Sequence, residues 1–540
     1  MFAKKSKAVF LCMCMISLVF LCSCESNAKE VSAQSETDVN DAANGAVTSE
    51  GLEESSQEEM STLQLLLGVA NERRLGIETI DKQAVTQLAY SRDFVFYDLS
   101  NIIVAPTDEL QRPPATITSE EAIEDTEILF DVLRYVYGAY QYFGGDDVFE
   151  PVRKSVVEDI LQGGNNFTGA ELCRILYRHL SPIIEDYHFI IRENIRESGG
   201  GAQFPFGSEN TFLVSSDAFY DKTEQGFRNR DNGLYLAELA GYDMGDIMRL
   251  QLDEQGRHFY APVMMRDGIS SASSQLTIIY EDDTTEQIML QAAPMSINAF
   301  EAPSSLEYID DIPIVSLAWM MGMGAIPHGQ YALDFLGFAE ELRNEPIVIL
   351  DLRSNFGGTA VLPLNWMYLL TGEVVMGNSP WLTNWDNELE YPWKPRGNTP
   401  ESNSLYISED DMEKLHFLFH RTIINGFPVE YLIERHIVER TQILIVLVDR
   451  YTMSAGEFFV DLAFNVENTL VIGQNTFGSL TCSSSYPHLR VPNSGIAISL
   501  GRDLMLHPEG HFAEGVGYRP DVWVTGDALA ATMAMLANGQ

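Results

Sequence analysis

One serine in this sequence stands where a hydroxyl could become a nucleophile. The stretch Tyr451-Thr-Met-Ser454-Ala455-Gly-Glu457-Phe458 follows an apolar, β-branched run from Ile443 to Val448. It leads into helical spacing that continues to Phe464. A serine at a strand-to-helix turn lies beside unpaired backbone N–H groups, at the positive end of the helix dipole. That place suits an alkoxide or a developing oxyanion. The same Ser-x-x-Glu spacing also writes a capping box, in which Ser454 and Glu457 only tie off the helix start. A second turn could contribute to chemistry. The apolar run from Ile347 to Asp351 breaks into Ser354-Asn-Phe-Gly357-Gly358, where the missing Cβ atoms let backbone approach a substrate closely. An ordinary tight turn after a buried strand would use the same residues.

These turns need a scaffold, and the pattern of the chain predicts one of mixed α/β class in several parts. Residues 1–23 read as an export signal: Lys4, Lys5 and Lys7 precede an apolar run from Ala8 to Leu21 that is too short for a stable membrane span. Leu21-Cys22-Ser23-Cys24 resembles a bacterial lipobox, which would make Cys24 the diacylated N-terminus. Two acyl chains anchor a protein stably where one does not, so the expected location is extracytoplasmic, lipid-anchored to the bacterial cell membrane. Residues 24–60 are Ser, Glu, Asp, Ala and Asn with almost no large apolar side chain, and read as a disordered acidic tether. A helical domain is expected over 61–195, carried by Leu63, Leu66, Leu67, Phe130, Leu133, Val136 and Tyr137 at a period near 3.6. Short alternating strands fill 196–302. From 303 to 540 strands and helices alternate, as in an α/β layer structure.

Composition excludes some functions. A formal charge of −44 would repel phosphates, so nucleic acid is not expected as a partner. The zincin pattern fails at His436-Ile-Val-Glu439, which lacks the second histidine, and Cys173 and Cys482 have no metal-ligand spacing. No metal and no cofactor are expected.

Four segments now fall into a recognisable order: Asp351-Leu-Arg-Ser-Asn-Phe-Gly-Gly358, Ser454-Ala-Gly-Glu457, Ile472-Gly-Gln-Asn-Thr476-Phe-Gly478 and Glu514-Gly-Val-Gly517-Tyr-Arg-Pro520-Asp521. Together they resemble the C-terminal processing (tail-specific) serine peptidases, a group that includes the tricorn core protease and retinoid-binding-protein-like modules. The resemblance implies a C-terminal core of the crotonase/ClpP-like spiral type and a peptide or protein-tail substrate. It also implies a PDZ domain in the interval of the β-rich module, where Gly241-Tyr-Asp-Met-Gly245-Asp246 resembles part of the PDZ pattern. One departure is plain. Where bacterial members carry a dyad lysine, this chain reads Thr476-Phe-Gly478-Ser479. A serine without a base is a poor nucleophile at neutral pH.

The tricorn-like branch uses a histidine at the end of a helical segment before the core, with an acid near the last motif. On that pattern His188, in Asp186-Tyr187-His188-Phe189, would be the base for Ser454, and Glu514 would orient or polarise the site, its partner being His188 or a polar side chain near Ser454. The oxyanion hole would use the Ala455 amide and one from Gly357-Gly358. His507 and His511 are rival bases by their nearness to Glu514, or polar loop residues. A non-catalytic lipoprotein on the same fold is the alternative to a peptidase. An acyl hydrolase with the same triad is a more remote one, since no Gly-x-Ser-x-Gly supports it.

Overall fold

The β-branched runs of the C-terminal half pair side by side in parallel, which is where near-continuous apolar strands belong. The structure, a computed structural model, describes residues 61–80, 88, 115–193, 203–207, 210–268, 273–295, 302–320, 328–379, 381–383, 435–485 and 489–538. The signal peptide, Cys24 and the acidic tether lie outside these. No helix among the described residues is long and apolar enough to cross a membrane.

In the first part, helix α1 (Thr62–Leu75) is followed by α2 (Ser119–Val136), α3 (Gly145–Gln162), α4 (Gly169–Leu180) and strand β1 (Asp186–Arg192). Thr118 and Thr168 start α2 and α4 with capping boxes closed by Glu121 and Glu171. The β-rich part contains β2 (Asn210–Val214), β3 (Met248–Leu252), β4 (His258–Asp267), β5 (Ser274–Tyr280) and β6 (Thr285–Ala292). A hairpin, β7 (Ser304–Ile309) and β8 (Ile312–Leu317), leads into α5 (His328–Glu341), β9 (Ile347–Asp351), α6 (Val361–Thr371) and β10 (Ile443–Val448). Then come α7 (Ala455–Ala463), β11 (Thr469–Gly473), β12 (Cys482–Ser485), β13 (Ala497–Ser499), β14 (Gly501–Met505), β15 (Val522–Trp523) and α8 (Ala528–Asn538).

Strands β8, β9, β10, β11 and β15 lie parallel and adjacent, and β15 pairs in parallel with β3. Through β3 the core sheet runs on into the β-rich part, in the order β3-β4-β2-β6-β5. The Gly245-Asp246 stretch forms a single helical turn, Met244–Ile247.

Two features differ from the linear reading. Helix α1 does not pack with α2–α4. Its Leu66, Leu67 and Ala70 bury against Leu470, Ile472 and Met535 on one face of the parallel sheet. The closing segment does not stay within the C-terminal core: Ile496, Ile498, Leu500 and Leu504 share one core with Leu133, Leu172 and Phe189 of the helical part. Burying those side chains stabilises by roughly 1.5–3 kcal/mol each, which outweighs the polar residues between them. In consequence β1 pairs with β13, Arg192 opposite Ala497.

Candidate active site

Ser454 sits at the turn between β10 and α7 with φ 50° and ψ −116°. A side chain-bearing residue in that region is strained by about 1–3 kcal/mol and persists only where its surroundings insist on it. Glu457 is the main constraint. Fully buried, its Oε2 accepts from the Ser454 amide at 3.0 Å and from the Ser479 amide at 2.8 Å. Its Oε1 accepts from Thr476 Oγ1 at 2.7 Å and from the Gly478 amide at 2.6 Å. Burial pushes the Glu457 carboxyl up, and these donors pull it back toward the ionised form. So the capping contact exists, but it serves a wider purpose: it clips the loop 476–479 to the serine. Ser479, at the place of the dyad lysine, belongs to this clip, its Oγ accepting from the Ser454 amide at 3.2 Å.

The hydroxyl of Ser454 faces elsewhere. His188 Nε2 lies 3.0 Å from Ser454 Oγ, across 266 residues of sequence. His188 rides on strand β1, not at a helix end as the resemblance implied; aromatic and β-branched residues, Tyr187 through Ile191, favour the strand. Burial lowers its pKa, against the pull of the Asp186 charge, so the imidazole is neutral at pH 7 and able to take a proton.

Glu514 does not touch the imidazole. Its Oε1 accepts from the Tyr187 amide at 2.8 Å, while its Oε2 accepts from the amides of Leu480 and Thr481 at 3.1 and 2.9 Å. The carboxyl thus fixes the strand beside His188 to the loop beside Ser454. Burial first, and then the Asp186 charge, push its pKa well up.

Asp186 is the acid closest to the ring among those the sequence put forward as a motif without giving them a role. Its Oδ1 is 3.8 Å from His188 Nδ1 and accepts from the His188 amide at 2.8 Å. Tyr137 of the helical part donates to the other oxygen at 2.8 Å. His188 Nδ1 itself is buried and has no hydrogen-bond partner among the described residues, and Asp186 is the charge that acts on it. The spacing Asp-x-His on a strand, which returns both side chains to one face, was the available signal.

At the diglycine, the two residues divide the work. Gly357 is buried at φ 86° against the serine, where an added Cβ would stand 2.8 Å from Ser454 Cβ. Its amide donates to Asn355 Oδ1 at 2.8 Å and so is not an open donor. Gly358 is exposed, held by a bridge to Met320, and neither its amide nor that of Ala455 meets an acceptor among the described residues. These two amides can receive an oxyanion. His507 and His511 are engaged away from Ser454: His507 contacts Ser379 Oγ at 2.7 Å and Leu480 O at 3.1 Å, and His511 contacts Asp461 at 3.2 Å. Arg353 pairs with Asp351 at 2.7 Å. No group of histidine, cysteine and acid side chains able to hold a metal ion occurs among the described residues.

A half-buried serine at a strained strand-to-helix turn, an imidazole on its hydroxyl and open amides beside it can perform acyl transfer. Comparison narrows the class. Residues 328–524 match peptidase family S41, and the chain therefore carries the domain of the tail-specific peptidases. No curated protein sequence matches the chain. Among solved structures it is similar to mature CPAF, at 16% identity and a TM-score of 0.40, with 78% of this chain and 97% of that one covered. The photosystem II D1 C-terminal processing protease gives 14% identity and a TM-score of 0.34 over 76% and 94% of the two chains. A lipoprotein from Streptococcus agalactiae gives 12% and 0.35 over 80% and 100%. At scores this low, these structural likenesses carry no argument of their own.

Proposed function

We propose that this protein is a membrane-anchored, extracytoplasmic serine endopeptidase that hydrolyses peptides or protein C-terminal tails. Ser454 Oγ attacks the scissile carbonyl while His188 Nε2 takes its proton and later gives it to the leaving amine. The oxyanion forms against the amides of Ala455 and Gly358. Asp186 steadies the imidazolium that develops, and Glu514 holds the strand of His188 to the loop of Ser454. The 3.0 Å contact between His188 Nε2 and Ser454 Oγ supports this reading above all else, since it supplies the base that the missing lysine would have been. Cys24 carries the diacylglycerol, on the strength of its lipobox.

A fluorophosphonate reagent applied to fractionated cells tests both parts. Wild type is expected to label in the membrane fraction, Ser454→Ala not at all, and Cys24→Ala in the soluble fraction. An unlabelled but folded wild type, beside an active control hydrolase, would instead favour a non-catalytic lipoprotein on this fold. Label that stays with membranes in Cys24→Ala would remove the anchor.

A further inference from the structure

In a chain whose net charge is −44, a knot of arginines gathers around Asp521. Helix α1 ends in Arg73 and Arg74, and both reach one carboxylate. Arg74 Nη2 lies 2.8 Å from Asp521 Oδ2, and Arg73 Nη1 lies 3.2 Å from Asp521 Oδ1. Arg73 also donates to the carbonyls of Pro520 and Arg519, both at 2.9 Å. A third guanidinium arrives on β3. Gln251 pairs with Trp523 in parallel register, so Arg249, two residues earlier, stands alongside Asp521. Arg519 comes two residues before Asp521 on the same approach.

The charges here do not balance. Asp521 is shared between Arg73 and Arg74. Arg249 gives its N–H groups to the carbonyls of Gly245, Met248 and Asp246, which accept hydrogen bonds but cancel no charge. The Arg519 guanidinium has no hydrogen bond or ion pair among the described residues. Asp246 is the second carboxylate acting on Arg249 and Arg519. Among the described residues, these four guanidiniums therefore face two carboxylates. Burial, and then the neighbouring guanidiniums, draw Arg73, Arg249 and Arg519 each down to about 10. Half-buried cations in surplus are costly unless an anion joins them. The three are also not sealed off, since each keeps part of its surface in solvent. A planar guanidinium fork matches the oxygens of a phosphoryl group better than it matches chloride.

We infer that Arg73, Arg249 and Arg519 form a binding site for a phosphoryl oxyanion, where the first helix, the β-rich part and the C-terminal strands meet. Arg519 supplies open N–H donors, and Arg73 and Arg249 supply charge from either side. The phosphoryl group could belong to free phosphate or to a phospholipid headgroup, and the same experiment separates the two.

Full-length protein is titrated with inorganic phosphate at constant ionic strength, balanced with chloride, and its Tm is followed. Vesicles of phosphatidylglycerol or of phosphatidylcholine form the second arm. A ligand that binds only the folded state raises Tm in a saturable way. Wild type is expected to show that rise with phosphate, and Arg519→Gln to need about tenfold more phosphate or not to respond, as loss of a charge-assisted hydrogen bond predicts. Arg519→Gln relieves like-charge repulsion, so its phosphate-free Tm is expected to equal or exceed that of wild type. A response to phosphatidylglycerol alone, lost in Arg519→Gln, identifies a headgroup as the source. No saturable response in either arm, or an equal response from Arg519→Gln and Arg249→Gln, overturns the site. None of these readouts depends on peptidase activity.

Discussion

Ser454 is held largely by residues near it in the core, whereas His188 is held by residues from the far ends of the chain. Around the serine, β10 feeds a turn of forced geometry, and Glu457, three residues on, ties that turn to the loop 476–479. Around the histidine, Tyr137 arrives from the end of α2, and Glu514 arrives 327 residues after Tyr187 to take its amide. The contrast separates two kinds of precision. A nucleophile can be presented by local backbone strain, because its position is a matter of one turn. An imidazole must be brought to it, and here that is done by one buried carboxyl, Glu514, that accepts backbone N–H groups from two segments at once. Such acceptors are costly to leave half-satisfied, which is what makes them specific.

The sharpest test of this division removes the base. His188→Ala is expected to lower kcat/KM by about 10⁴-fold, the scale of losing a triad member, while Tm stays within a few degrees of wild type. Unchanged turnover would detach His188 from the mechanism and leave the two halves of the site unrelated. Next in size is Glu457→Ala, which strands a buried set of donors. It is expected to cost about 3–5 kcal/mol in denaturant unfolding, as for a buried charge network. A loss near 1 kcal/mol would reduce Glu457 to an ordinary helix cap, and the serine side would no longer differ from any helix start.

Asp186→Asn should have the smallest effect, about 10- to 100-fold in kcat/KM, as for outer partners of a reactive ligand. Its signature is in the pH profile. Burial lowers the His188 pKa and the Asp186 charge opposes that, so removing the charge lets the pKa fall further. The acid limb of kcat/KM should therefore move to lower pH as the plateau drops. A limb that stays in place would make Asp186 a purely structural acid and leave the base side to Glu514 alone.

How far the linear chain announces all this depends on the distance over which each feature is decided. Ser454, the diglycine and the parallel strands could be read directly, because a β-branched run, a turn and a helix start are events of a few residues. Periodicity misplaced α1, whose apolar stripe is equally fit for either core; Arg73 and Arg74 on Asp521 belong with the core that buries it. His188 could be named only through a family pattern, and its strand, its contact with Asp186 and the indirect role of Glu514 had no local mark at all.

Local sequence by itself determined the serine-bearing turn, its amides and the sheet that carries them, since short-range sterics and hydrogen bonding leave few alternatives there. Only the tertiary structure decided which imidazole meets the hydroxyl, which carboxyls steady it and where the arginines converge. Those outcomes depend on closing loops of hundreds of residues around shared buried cores. No pattern within a single segment records where such a loop will close.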